Sequence, residues 1–251
     1  MTRILIVNPN TTSEITDLLV AAGKPSAGAD TELVPLTAPH GFPYISNRSE
    51  AQIGGAIAIE MLADHHTTAD AAILAAFGDP GLFGARELFD IPIVGMSEAA
   101  MLTACMLGQR FAIVTFASAL GHWFRDCVEM HGLQSRCAGI RALDQAFVSI
   151  MHVQQEKEAL LVKLARRAVE DDGADVVILG GAPLAGLAAK IKDQVAVPLI
   201  DPIAAAVKQA ETLLALAPRK ASAGTFRRPA AKETTGLGRA LTAHLAHRER
   251  P

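Results

Sequence analysis

Short apolar runs alternate with longer amphipathic stretches through most of this chain, and the alternation occurs twice. Strands are expected near 3–7, 32–36, 71–75, 91–94, 111–115, 138–142, 175–179 and 197–200. Helices are expected near 12–23, 48–64, 82–89, 97–107, 119–131, 154–172, 184–193 and 203–216. Such alternation implies parallel strands joined by crossover helices, with both sheet faces covered. Ala112 follows Ile4 by 108 positions, Gly181 follows Ala76 by 105, and Pro198-Leu199-Ile200 follows Pro92-Ile93-Val94 by 106. The expected fold is therefore α/β, with two pseudo-symmetric lobes. Each lobe holds a roughly four-stranded, mainly parallel sheet flanked by helices, and the site lies in the cleft between them. We place lobe 1 at 1–100 plus 203–216, whose helix crosses back, and lobe 2 at 101–202. Residues 217–251 form a C-terminal arm with a short helix near 237–247, packed over a lobe or a partner subunit and fraying at its end.

Composition narrows the function classes. The net charge of −3 carries no polyanion-binding signal, so no nucleic-acid partner is expected. No apolar stretch reaches the roughly 18 residues of a membrane span, no secretory leader is visible, and a cytoplasmic protein is expected. Cys105, Cys127 and Cys137 are odd in number, fit no metal motif by spacing, and read as buried structural thiols. No metal is expected. No glycine-rich phosphate loop follows a strand, which disfavours a nucleotide enzyme.

In parallel sheets, ligands bind beyond the carboxyl ends of the strands. That selects the loops at 8–13, 40–48, 76–81, 95–98, 115–122 and 180–184, with Asp201 beside them. Asn8, Asn10, Thr11 and Thr12 stand where a strand passes into a helix, and N–H groups there suit a carboxylate or imide oxygen. Thr115 and Ser118 hold the equivalent place in the second half. Tyr44, the only tyrosine, sits in a long loop with His40 and is expected to face a substrate oxygen. Asp79, Glu98 and His122 are the candidate proton carriers, with local readings beside them: an Asx turn for Asp79, a helix-dipole contact for Glu98, a surface position for His122. His152 is a weaker candidate for the cleft wall.

Asn8-Pro9-Asn10-Thr11-Thr12, Gly78-Asp79-Pro80-Gly81-Leu82, Gly95-Met96-Ser97-Glu98-Ala99-Ala100 and Asp201-Pro202 follow successive strands. In that order they resemble the Asp/Glu/hydantoin racemase superfamily, closest to its hydantoin and allantoin racemase branch, over about residues 1–220. The resemblance implies cofactor-free catalysis and often homo-oligomerisation. It also implies a mechanism in which a proton leaves one face of a carbon α to a carbonyl and another arrives on the opposite face. Two thiols, one per lobe, do this in the family, because a thiol pKa can be tuned toward neutral. The matching positions here are Ala76 and Gly181. An arylmalonate decarboxylase type of relative keeps one thiol; this chain keeps neither.

Ala76, Phe77, Gly181 and Ala182 are thus expected to line the binding site with Asn8, Asn10, Thr11, Tyr44, Thr115 and Ser118. The expected activity is racemisation or epimerisation of a small carboxylate or cyclic amide by a non-cysteine acid/base route. A decarboxylase or lyase using the same enolate-stabilising pocket, and a non-catalytic small-anion binder, stand as alternatives. The reading requires Asn10, Asp79, Ser118 and Gly181 to converge on one cavity.

Overall fold

The computed structural model describes residues 1–144 and 149–248. The first half runs β1 (Thr2–Asn8), α1 (Ser13–Gly23), β2 (Thr31–Thr37), α2 (Arg48–His65), β3 (Ala71–Leu74), α3 (Leu82–Leu88), β4 (Ile93–Gly95) and α4 (Met96–Leu107). The second runs β5 (Phe111–Thr115), α5 (Leu120–Met130), β6 (Cys137–Ala142), α6 (Val153–Glu170), β7 (Val176–Leu179), α7 (Leu187–Ile191), β8 (Leu199–Ile200) and α8 (Pro202–Leu216). A last helix, α9, spans Arg239–Leu245.

Two four-stranded sheets form, in the orders β2-β1-β3-β4 and β6-β5-β7-β8. Every pairing is parallel. The central strands β1, β3, β5 and β7 are read correctly as near-continuous apolar runs, because helices bury both of their faces. The duplication extends to single hydrogen bonds. Ala72 N–H donates to Pro92 O at 3.0 Å, and Val177 N–H to Pro198 O at 3.0 Å. Those prolines lack an N–H to give the ladder, so β4 and β8 begin one residue after them, later than the apolar pattern suggests.

The halves interlock. α4 follows β4 but packs against β5, β7 and β8, while α8 follows β8 but packs against β3, β4 and α1. α4 and α8 also pack on each other. One core cluster therefore spans both sheets, joining Ile4, Ile6 and Ile73 to Ile113 and Ile178. Leu5, Val7, Ala72 and Leu74 point the other way, into a second cluster under α2 and α3.

Local chemistry sets the helix ends. Asn47 accepts from the Glu50 N–H at 3.0 Å, and the Glu50 carboxylate accepts from the Ser46 N–H at 2.6 Å, a reciprocal cap on α2. Asp201 caps α8 ahead of Pro202, accepting from Ile203 N–H at 3.2 Å. The helix expected at 184–193 is shorter, because Gly186 at φ +84° separates a 3₁₀ turn at Ala182–Leu184 from α7.

The arm packs on the first half. The Lys220 ammonium donates to the carbonyl of Arg86 and to those of Glu87 and Phe89 at 2.9 and 2.8 Å, capping the C-terminal end of α3. α9 lies against α2, with Leu241 in the second core cluster and the His244 ring stacked on Phe89 at 4.7 Å. The arm's final positions, expected to fray, lie outside the described residues. No helix among the described residues is long and apolar enough to cross a membrane.

Candidate active-site cleft

The loops after β1, β3, β5 and β7 meet where the two sheets face each other. Ala76 follows β3 and Gly181 follows β7, and both line one small cavity. Asn10, Tyr44, Phe77 and Ala182 line it as expected. Ile45, Trp123 and Phe124 complete the wall. Sequence reasoning missed these three. Trp123 and Phe124 belong, with Leu120, Cys127 and Val128, to the buried stripe of α5, a pattern that reads only as core.

The cavity holds about 20 Å³ of open space, room for roughly one water. Aromatic rings account for its size. Phe77 and Phe124 pack with centroids 4.6 Å apart, and Tyr44 and Phe116 at 5.9 Å. Gly181 has φ +120°, and a Cβ built there would lie 2.8 Å from Phe116 Cε1 and 3.8 Å from Thr115 Oγ1. The Thr115 hydroxyl is fully buried and has no hydrogen-bond partner among the described residues.

A hydrogen-bonded strap closes the first-lobe side. Thr11 N–H donates to Phe42 O at 2.9 Å, and Thr12 Oγ1 to Pro43 O at 2.8 Å. Ile45 N–H donates to Asn10 Oδ1 at 2.9 Å, while Asn10 Nδ2 donates to Asn8 Oδ1 at 2.8 Å. Asn8 Nδ2 in turn donates to Thr16 Oγ1 at 2.9 Å. Asn8 therefore holds Asn10, and Asn10 holds the 40–46 loop. Thr12, at the start of α1, spends its hydroxyl on the strap and makes no side-chain cap. Burial pushes the Tyr44 phenol well above its usual range, with Glu50 adding to the shift.

The convergence expected of Asn10, Asp79, Ser118 and Gly181 holds for Asn10 and Gly181 and fails for the other two. Asp79, at φ +47°, turns its carboxylate onto the first turn of α4, accepting from Ser97 N–H and Glu98 N–H, each at 2.8 Å. Two N–H groups free of intrahelical partners outbid an open cleft for a carboxylate. Ser118 is exposed and donates to Asp144 Oδ1 at 3.2 Å. Glu98 is gripped by both terminal guanidinium nitrogens of Arg86 and does not line the cavity. His122 is an exposed residue of α5. His40 lies 3.7 Å from Glu60 on the surface, and His152 is exposed before α6. Among the described residues, Tyr44 is the ionisable side chain that lines the cavity.

A duplicated α/β half-fold, with equivalent strand ends facing across one cleft, is the architecture of the two-lobe racemase class of isomerases. The chain belongs to the Asp/Glu/hydantoin racemase family, whose model, Asp/Glu/Hydantoin racemase, matches residues 4–210. It lies in the hydantoin/allantoin racemase-like branch and is an isomerase by class. It is 33% identical over 239 residues to the hydantoin racemase of Pseudomonas sp. (strain NS671), covering 93% of this chain and 94% of that one. The allantoin racemase structure from Klebsiella pneumoniae superposes with a TM-score of 0.90 at 30% identity, covering 96% of this chain and 99% of that one. The Pseudomonas fluorescens allantoin racemase gives 0.87 at 31% identity, covering 94% and 100%.

Proposed function

We propose that this chain is a cofactor-independent racemase or epimerase acting at a carbon α to a carbonyl, with protons carried by groups other than cysteine sulfur. Its substrate is a small carboxylate or a cyclic amide of the hydantoin kind. The observation that carries this reading is the placement of Ala76 and Gly181 on one cavity, one from each half of the duplication. A carbon held between them has one face toward each lobe, the geometry that inversion requires. The relatives named hydantoin racemase and allantoin racemase put cyclic amides first among substrates.

In this reading the neutral Tyr44 phenol donates to the oxygen of the developing enolate, a role that its burial favours over that of a base. Asn10 and the Thr115 hydroxyl, which has no partner among the described residues, orient the substrate's polar atoms. Water in the space at Ala76 and Gly181 carries protons that sulfur carries elsewhere. Asp79 reaches the cleft only by giving up its hydrogen bonds to α4, so it serves as a carrier only in a rearranged state. Substrate entry requires the 40–46 strap to lift, breaking the bonds from Thr11, Thr12 and Asn10. Leu102, Met106 and Leu107 on α4 and Leu216 on α8 are exposed, which supports a homo-oligomer.

A panel of hydantoins, allantoin-like ureides and amino acids incubated in deuterated water tests this. Wash-in of deuterium at the α carbon of one of them, with change of optical rotation, is the expected result. Among the described residues no carboxylate, imidazole or thiol lines the cavity, which favours a second reading, a binder that kept the pocket. Ligand-induced thermal stabilisation with no exchange across the panel would replace the first reading by that one. Carbon dioxide release from malonate-type acids would instead favour the decarboxylase.

A further inference from the structure

Outside the cleft, a buried cluster draws one residue from the first half and two from the second. Cys127 and His131 are four positions apart at the C-terminal end of α5, so they share a face. Asp79 meets them from the turn after β3, its Oδ2 3.2 Å from His131 Nε2. One ligand atom from each of Asp79, Cys127 and His131 lies within 4.8 Å of the others. We propose that Asp79, Cys127 and His131 form a binding site for a zinc-type divalent cation, taking it through one oxygen, one sulfur and one imidazole nitrogen.

The donor chemistry and its surroundings support it. Sulfur, imidazole and carboxylate are the donors that zinc takes, at about 2.3, 2.0–2.1 and 2.0–2.2 Å. Tetrahedral bonds of that length need donor atoms about 3.5 Å apart, so modest side-chain rotation closes the set. His131 already has an outer partner, since its Nδ1 lies 3.5 Å from Glu98 Oε1, and Arg86 holds that carboxylate with both nitrogens. A ligand imidazole backed by an anchored carboxylate is a recurring feature of metal sites.

Charge points the same way. The Asp79 side chain is 0% exposed and that of His131 4%, and the two meet at 3.2 Å. A dication with the Asp79 carboxylate, the Cys127 thiolate and neutral His131 sums to zero. Binding would release the thiol proton to solvent as the sulfur–metal bond forms. A groove of about 440 Å³, walled by Arg48, Gln52, Trp123 and Met130, reaches Asp79 and Cys127 and offers an entry path and a fourth coordination position. The spacing of the three cysteines in sequence hid this set, because the carboxylate comes from the other half of the chain.

The test uses the full chain, stripped with chelator and titrated with Zn²⁺ against a chromophoric competitor and with Co²⁺ by absorption. The expected result is one equivalent of tight metal per chain, with a thiolate-to-cobalt charge-transfer band and tetrahedral d–d bands. Cys127→Ala and His131→Gln should each lose that signal, and Glu98→Gln should weaken binding roughly 10–100-fold. Removing the two other thiols, Cys105→Ala with Cys137→Ala, should leave it intact. That last chain keeps Cys127 as its sole thiol and decides the matter even if a ligand variant fails to fold. A charge-transfer band there supports the site. Its absence, or wild-type binding that survives Cys127→Ala, overturns it and leaves His131 as a hydrogen-bonded bridge between two carboxylates.

Discussion

Phe116 occupies the space into which a side chain at position 181 would project, its Cε1 standing 2.8 Å from the Cβ that Gly181 lacks. The glycine at 181 and the aromatic filling of the cleft are therefore one structural feature, since the ring stands where a side chain would go. Gly181→Cys should destabilise the chain by roughly 1–3 kcal/mol, from φ +120° backbone and from the clash with the ring. Gly181→Cys combined with Phe116→Ala should relieve the clash while retaining the backbone strain. Urea denaturation of Gly181→Cys, Phe116→Ala and the double variant closes a mutant cycle, and additive stability losses would refute the coupling.

Rebuilding the thiol pair follows from the same contact. Ala76→Cys with Gly181→Cys in the native Phe116 background should show little α-proton exchange, because the ring displaces the second sulfur. Adding Phe116→Ala should raise exchange on a hydantoin substrate, read by deuterium incorporation. A folded triple variant no more active than the double would mean that the strap, not the ring, excludes substrate.

Among the described residues Tyr44 is the ionisable group on the cavity wall, and Tyr44→Phe removes its hydroxyl with little change in volume. If the phenol stabilises an enolate, exchange should fall by about 10²–10³ with little change in thermal stability. Unaltered exchange would move the role to Asn10 or Thr115.

Asp79 holds the first turn of α4 through two buried N–H groups. Asp79→Ala should cost about 1–3 kcal/mol for each donor left unpaired, and Asp79→Asn less, since one oxygen remains. Chemical denaturation ranks the two. A cost near zero for Asp79→Ala would show that water replaces the carboxylate.

Burial raises the Asp201 carboxyl above its usual value, against the lowering by N–H donors from Gly186, Ala204 and Ile203. The unfolded chain loses this proton at about pH 3.9, while the folded chain keeps it to higher pH. Between those values the folded state holds more protons, so stability falls as pH rises. Asp201→Asn should flatten that limb of the stability–pH curve. Equal slopes in the two proteins would assign the dependence elsewhere.

Much of this protein was legible from local pattern. The near-continuous apolar runs of β1, β3, β5 and β7 and the Asn47–Glu50 cap depend on residues close in the chain, and the offset between Ala76 and Gly181 is read by comparing two such local patterns. They led to two parallel sheets of matching order and to Ala76, Gly181, Asn10 and Tyr44 on one cavity. What only the tertiary structure decided was where the polar side chains turned. Asp79 and Ser118 lie beside the predicted site in sequence, yet α4 and Asp144 claim them. Phe116 and Trp123 carry the same apolar signature as any core residue, and only the apposition of two sheets makes them the filling of a cleft. The physical reason is range. Periodicity is set within a turn or a strand, whereas a carboxylate or a ring chooses among partners brought close only when distant segments pack.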